Sequence, residues 1–418
     1  MKQVFIMSKI STAQDWVCKF DVKLLALYAS IFFLPVSYKI NNTFLVIFII
    51  IYLTEGQWSF KISNIKKNYQ AILSIGVFFF FYLIGVFYSE YTNAALSQIE
   101  RSLPLVALPI IILSEPKIYV KKNKTIFFSL VYGCFLAVII CWGNLLLEIF
   151  KDDGVINLFK WEYSKFNLIK PLKQHSPYLA MFLVISIGFL IRLKAFIYKP
   201  HTTLHNIVLV VLIAFLFHLM SRTAIIFFIL SSIIYFIYCR KYLTIIGMII
   251  LASIAISFLN KNDFINKYYE GLLVDQMGLN GIEKVDERFQ RLNYSLDLFF
   301  DYPLLGAGTG DVDLLRSIKY GENGDTSGFK NGYNAHNQFL EFLSGQGIFA
   351  GAYFLFFFFY LFKSNFEHKK YFFLFTSICF FICCLTESML RVTSGIVFFS
   401  LLTSLNFAHL NIKGINEQ

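Results

Sequence analysis

The chain has 418 residues, 57% hydrophobic and 15% charged, with a mean hydropathy of +0.62 and a formal net charge of +11. Soluble domains carry about 25% charged residues. This composition, with 50 Phe, excludes a water-soluble globule and implies an all-α polytopic membrane protein. The positive charge does not imply nucleic acid, because Lys and Arg stand in short clusters between apolar runs, not on one basic face.

Apolar runs of about 17–25 residues cross a bilayer as helices. In chain order twelve are expected, some of them short: 22–39, 41–54, 69–88, 102–115, 124–148, 176–192, 204–219, 222–239, 242–259, 337–362, 371–386 and 391–410. They form one transmembrane domain over 1–418. The first run lacks a small-residue cleavage site and another follows closely, so no cleavable signal peptide is expected. No internal repeat of the kind common in transporters is evident.

Lys and Arg set the orientation. The clusters at Lys19 and Lys23, at Lys61, Lys66 and Lys67, at Lys121 and Lys122, at Arg192 and Lys194, at Arg240 and Lys241, and at Lys369 and Lys370 belong inside. Outer turns carry little, although the connection 149–175 holds five Lys. Both termini are then cytoplasmic. The segment 260–336 becomes one large periplasmic loop between the ninth and tenth helices, containing short helices. None of the seven Cys lies in that loop, so no disulfide is expected there.

The outer ends of the helices that run inward share a feature. At or just before their N-termini stand Arg101, His175, Arg222, His336 and Arg391. A cation is a poor neighbour for the positive end of a helix dipole. A set of them points to a bound anion, since helix N-termini with Arg nearby suit phosphate. Local alternatives exist: Arg101 has Glu100 beside it, Arg391 has Glu387 one turn away, and His175 opens a helix start at Ser176–Pro177. His218 reads as a polar interface residue.

In the loop, ERFQRLNYSLDLFF is helical, with Arg288 and Arg291 on one face. Leu292, Leu296 and Phe299 form an apolar stripe that would lie along the membrane. The helix stops before Pro303. PLLGAGTGD follows, and its glycines are suited to presenting amides to an oxyanion. Asp311 and Asp313 resemble a DxD pair but read as a solvated turn. Residues 311–335 have the polar, Gly/Asn-rich composition of a mobile flap. Asn337 is placed to cap the following helix, in which Gly345, Gly347 and Gly351 permit close approach of neighbours.

Taken in order, these motifs resemble the bacterial O-antigen ligase and polymerase family. Ser221-Arg222-Thr223 opens a helix, Arg288 stands fifteen residues before Pro303 of PLLGAG, and His336-Asn337 leads to QGIFAG with Gly347 and Gly351. The resemblance is strongest over 218–400 and includes QHSPYLA and TESMLR. The family often has Trp soon after the loop Arg. Here Leu292 stands there, so Arg291 competes with Arg288 for the motif role.

The resemblance implies a metal-independent glycosyltransferase with no cofactor, in the bacterial inner membrane. Its donor is a glycan on undecaprenyl diphosphate, and its acceptor is a sugar hydroxyl of the lipid A core or of another glycan. Arg222 and Arg288 would bind diphosphate and His336 would serve as base, with Arg291, His175, Arg391, Arg101 and Asn337 binding substrate. A polymerase uses the same chemistry on another repeat unit, and related enzymes glycosylate protein. A flippase or transporter is the alternative from another class, but its pathway calls for ionisable groups at the midplane, and the helix centres here are nearly free of them.

Overall fold

The structure is a computed structural model that describes residues 21–151, 165–196, 202–219 and 287–412, with the single positions 225, 228, 229, 242 and 246. Every element among the described residues is helical. The first set is α1 (Val22–Phe33), α2 (Tyr38–Thr54), α3 (Trp58–Lys67), α4 (Tyr69–Val86), α5 (Thr92–Ser102), α6 (Pro104–Ser114), α7 (Pro116–Lys121) and α8 (Asn123–Lys151). Then come α9 (Lys165–Leu168), α10 (Ser176–Phe196) and α11 (Thr202–His218). The loop contributes α12 (Glu287–Asp301), α13 (Val312–Glu322) and α14 (Thr326–Asn331). The chain closes with α15 (Gln338–Glu367), α16 (Tyr371–Thr386) and α17 (Thr393–Asn411).

Six helical stretches in the described residues are long and apolar enough to cross a membrane, and a seventh arises if α2 and α3, bent by 110°, count as one span. Shorter apolar helices lie at α1, α11 and α16. The expected spans 222–239 and 242–259 fall outside the described residues apart from those single positions, as does all of 260–286. Helix α17 is the central post, buried along nearly its whole length. Phe-on-Phe contacts, such as Phe78 with Phe342, Phe357 and Phe399, tie α4, α15 and α17 together. His218 is buried and accepts from Trp142 Nε1 at 3.1 Å, as an interface residue would.

One span begins earlier than the apolar run suggests. Leu103 has helical backbone angles, so α5 and α6 run on as one crossing, Thr92–Ser114. Pro104 has no amide to give the preceding turn, and Leu103 N bonds to Glu100 O at 3.4 Å in its place, so the break at 103 does not turn the crossing aside. Arg101 therefore lies in the last turn of α5, well inside a crossing that begins at Thr92 and not at its start, which corrects the placement expected above.

The two ends of the bundle differ. At one, Lys23 is buried between Glu55 (2.6 Å) and Glu115 (2.7 Å), and Lys61 Nζ donates to Tyr52 O at 2.9 Å. These links fasten α1, the α2–α3 bend and α6. At the other end gather the turn after α4, the first turn of α10, the link between α16 and α17, and the described part of the loop.

The expected flap at 311–335 is folded instead. Asp311 is not in a solvated turn: its carboxylate is buried and accepts the backbone amides of Glu90 and Tyr91, both at 2.9 Å. Arg316 and Tyr320 are fully buried beneath α13. The expected stripe on α12 also differs. Its buried seam is Arg291, Ser295 and Leu298, with Leu292, Leu296 and Phe299 half-buried, because α12 packs against α15 rather than lying free on a surface.

Candidate functional site

The PLLGAG turn is where the loop joins the bundle. Gly347 interrupts α15 with φ 80° and ψ −173°. A broken helix leaves carbonyls and amides without ladder partners, and the turn supplies them. Ala307 N donates to Ser344 O (2.8 Å), Gly308 N to Gly345 O (3.0 Å), and Ile348 N to Pro303 O (2.9 Å). Thr309 N and Gly310 N donate to Gly85 O and Ser89 Oγ. The amides expected to face an oxyanion are thus engaged within the fold. Gly306, at φ 73°, must be glycine because a Cβ there would fall 2.3 Å from the Gly345 carbonyl carbon.

One and a half turns before the kink stands Glu341, fully buried. Its Oε1 faces Arg316 Nη2 at 3.1 Å and Arg391 Nη1 at 3.4 Å. Its Oε2 accepts from Ala335 N (3.0 Å) and Ser388 Oγ (3.2 Å). Asp313 closes the ring by pairing with both Arg316 and Arg391. Burial works against the Arg391 charge, but the Asp313 and Glu341 carboxylates more than restore it, so its pKa is pushed up. Arg391 thus pairs with these two acids and not with Glu387, the neighbour that its own motif offered. Arg316 Nε makes no hydrogen bond among the described residues, and Arg391 Nη1 has there only its 3.4 Å ion pair with Glu341.

Glu387 serves His336 instead. Nδ1 of His336 lies 3.1 Å from Glu387 Oε2. A carboxylate only accepts, so in the neutral ring Nδ1 carries the proton and Nε2 is the basic nitrogen. His336 sits at φ 47°, a region that residues other than glycine seldom adopt. Asn334 Oδ1, accepting from the His336 amide at 2.9 Å, holds it there. The ring is half-buried and tilts against Tyr333. Asn337 caps α15 as expected: its Oδ1 accepts from Leu340 N and its Nδ2 donates to Leu385 O, both at 3.1 Å.

The remaining expected residues fall at differing places. Arg291 is buried, with its Nε on Asp325 Oδ2 at 3.1 Å and its guanidinium 4.3 Å from the Tyr333 ring. Through Tyr333 it backs the His336 segment. Burial pushes the neighbouring Tyr320 hydroxyl up to about 12, and that hydroxyl donates to Tyr333 O at 3.0 Å. His175 is exposed at the start of α10, whose Tyr178 donates to Ser388 O at 3.3 Å. That contact brings the helix start to the same end as His336. Arg101 is exposed one turn beyond Gln98, which reaches Leu390 O at 3.5 Å. Arg222 and the side chain of Arg288 lie outside the described residues.

Glu341, Asp313, Arg316 and Glu387 were not among the residues singled out as functional. A signal was present for Arg316: Val312, Arg316 and Tyr320 recur every four residues, the spacing of one buried helix seam.

Residues 207–355 match the family model described as O-antigen ligase. The match spans the turn, the kink, Glu341, Arg316 and His336, about a third of the chain. No curated protein matches the chain.

Proposed function

We propose, from the O-antigen ligase match, that this protein is a metal-independent glycosyltransferase of the bacterial inner membrane. It moves a glycan from undecaprenyl diphosphate to a sugar hydroxyl of the lipid A core at the outer face. The acceptor oxygen attacks the anomeric carbon, the bond from that carbon to the diphosphate oxygen breaks, and its electron pair leaves on the diphosphate. The hydroxyl proton passes to Nε2 of His336. Arg222 and Arg288 hold the diphosphate and stabilise the charge that develops on it. Asn337, His175 and Arg101 border the substrate path. Arg391 and Arg291 act near His336 as charged supports.

The single observation that carries this reading is the His336–Glu387 pair. An imidazole is held in an uncommon backbone conformation, with one nitrogen committed to a carboxylate and the other left to take a proton. Beside it lie the two buried guanidinium groups of Arg316 and Arg391.

Deleting the gene and examining surface polysaccharide tests the reading and separates its two forms. Loss of long chains from the lipid anchor, with lipid-linked polymer accumulating, marks a ligase. A single repeat left on the anchor marks a polymerase. Unaltered surface polysaccharide would remove both.

A further inference from the structure

Helix α15 is longer than one crossing needs. Its thirty residues rise about 45 Å, against about 30 Å of hydrocarbon. Gly347 divides it. Before the kink, residues 338–346 carry the buried polar groups Gln338, Glu341, Ser344 and Gln346. Beyond it, 348–362 are apolar and rise about 22 Å, and the exposed Lys363 and Glu367 mark the polar end of the helix. The kink therefore stands where the polar part of α15 meets its apolar part, and the turn packed against it, 299–305, stands at the same level.

The side chains of this turn face outward. Phe300 is 66% exposed, Leu304 64% and Leu305 53%. They continue the outward surface of the spans, where Phe349 is 62% and Phe87 83% exposed. Adjacency is fixed by hydrogen bonds: Ile348 N reaches Pro303 O at 2.9 Å, and the Tyr88 hydroxyl donates to Leu305 O. Backbone entering lipid must have its polar groups paired. In the turn, Tyr302 N donates to Leu298 O and Gly306 N to Tyr302 O, and the Pro303 and Leu305 carbonyls accept as just described; the Leu304 and Leu305 amides have no backbone partner among the described residues, which keeps the backbone at the polar edge of the leaflet while the side chains reach inward. Its charged residue, Asp301, is paired with Lys319 at 2.7 Å.

We propose that the turn 299–305 is a membrane anchor that seats Phe300, Leu304 and Leu305 among the acyl chains of the adjacent leaflet. The anchor fixes the height of the loop. Glu341 lies six residues up the helix from Gly347, so the charged cluster stands about 9 Å above the kink. This inference is independent of the reaction proposed above, and its test reads no activity.

The test uses the full chain in lipid nanodiscs, with the native cysteines replaced and a nitroxide at Leu304→Cys or Leu305→Cys. Phe349→Cys is the lipid reference and Asn323→Cys the water reference. Collision with oxygen should exceed collision with a nickel chelate several-fold at both turn positions, as at Phe349. Turn positions that follow Asn323, or that are shielded from both reagents by a second copy, would overturn the proposal. If the labelled proteins fail to fold, Leu304→Trp in the otherwise native chain replaces them. Brominated lipid should then quench more fluorescence than in the native protein with its four Trp, and equal quenching would overturn the proposal.

Discussion

His336 needs Glu387 for its tautomer and Asn334 for its backbone. Replacing His336 with Ala should lower turnover about 10²–10⁴-fold, the range for a general base, with donor binding retained. Glu387→Gln should lower kcat with little change in KM, because it disturbs how the imidazole is held and not the contacts to donor. Steady-state kinetics separate the two; unchanged turnover in either variant would contradict the assignment. Glu341 answers two buried guanidinium groups, so Glu341→Gln should destabilise the protein by about 3–5 kcal/mol, seen as a lower Tm in detergent. His336 and Asn337 were legible in the sequence because HN before an apolar run is a local signal. Glu341 and Glu387 were not, because their importance comes from contacts between distant segments: Glu341 of α15 meets Arg316 of the loop and Ser388 of the link before α17, and Glu387 of that link meets His336.

At the scale of elements, the turn and the kink are one device. Gly347→Ala should break both, since φ 80° is strained for Ala and its Cβ would fall 2.1 Å from Leu304 O. Strain of that kind costs about 1–3 kcal/mol. Protease sensitivity confined to the loop would report the release, and an unchanged digestion pattern would contradict it. Asp311→Asn removes the charge that accepts two amides at the start of α5, and such bonds contribute about 1.5–3 kcal/mol each; the loop should loosen in hydrogen exchange at Glu90 and Tyr91. Hydrogen bonding to Asp301 raises the Lys319 pKa. A raised ammonium pKa contributes stability that is complete at neutral pH and lost as pH climbs past the lysine range. The glycines of PLLGAG signalled a tight turn but not its partner, because the carbonyls it satisfies are released only by the kink. Residues 311–335 have the composition of a flap, but the four-residue spacing of Val312, Arg316 and Tyr320 outweighs it and buries one seam of α13.

At the scale of the molecule, hydropathy located most of the described helices closely, α16 at its expected bounds and α17 within two residues. It misplaced the start of the crossing at 92–114 because TNAALSQIERS is amphipathic: Ala95, Gln98 and Ser102 are buried, and a window that averages polarity cannot see a buried polar face. The proposed site stands at one end of this bundle, with His336 as the base for glycan transfer. The most direct measurement is transfer in proteoliposomes, with purified protein, glycan on undecaprenyl diphosphate and lipid A core. The native chain should form the joined product without added metal, and His336→Ala should bind the donor but form almost none. Equal product from both proteins would contradict the central claim.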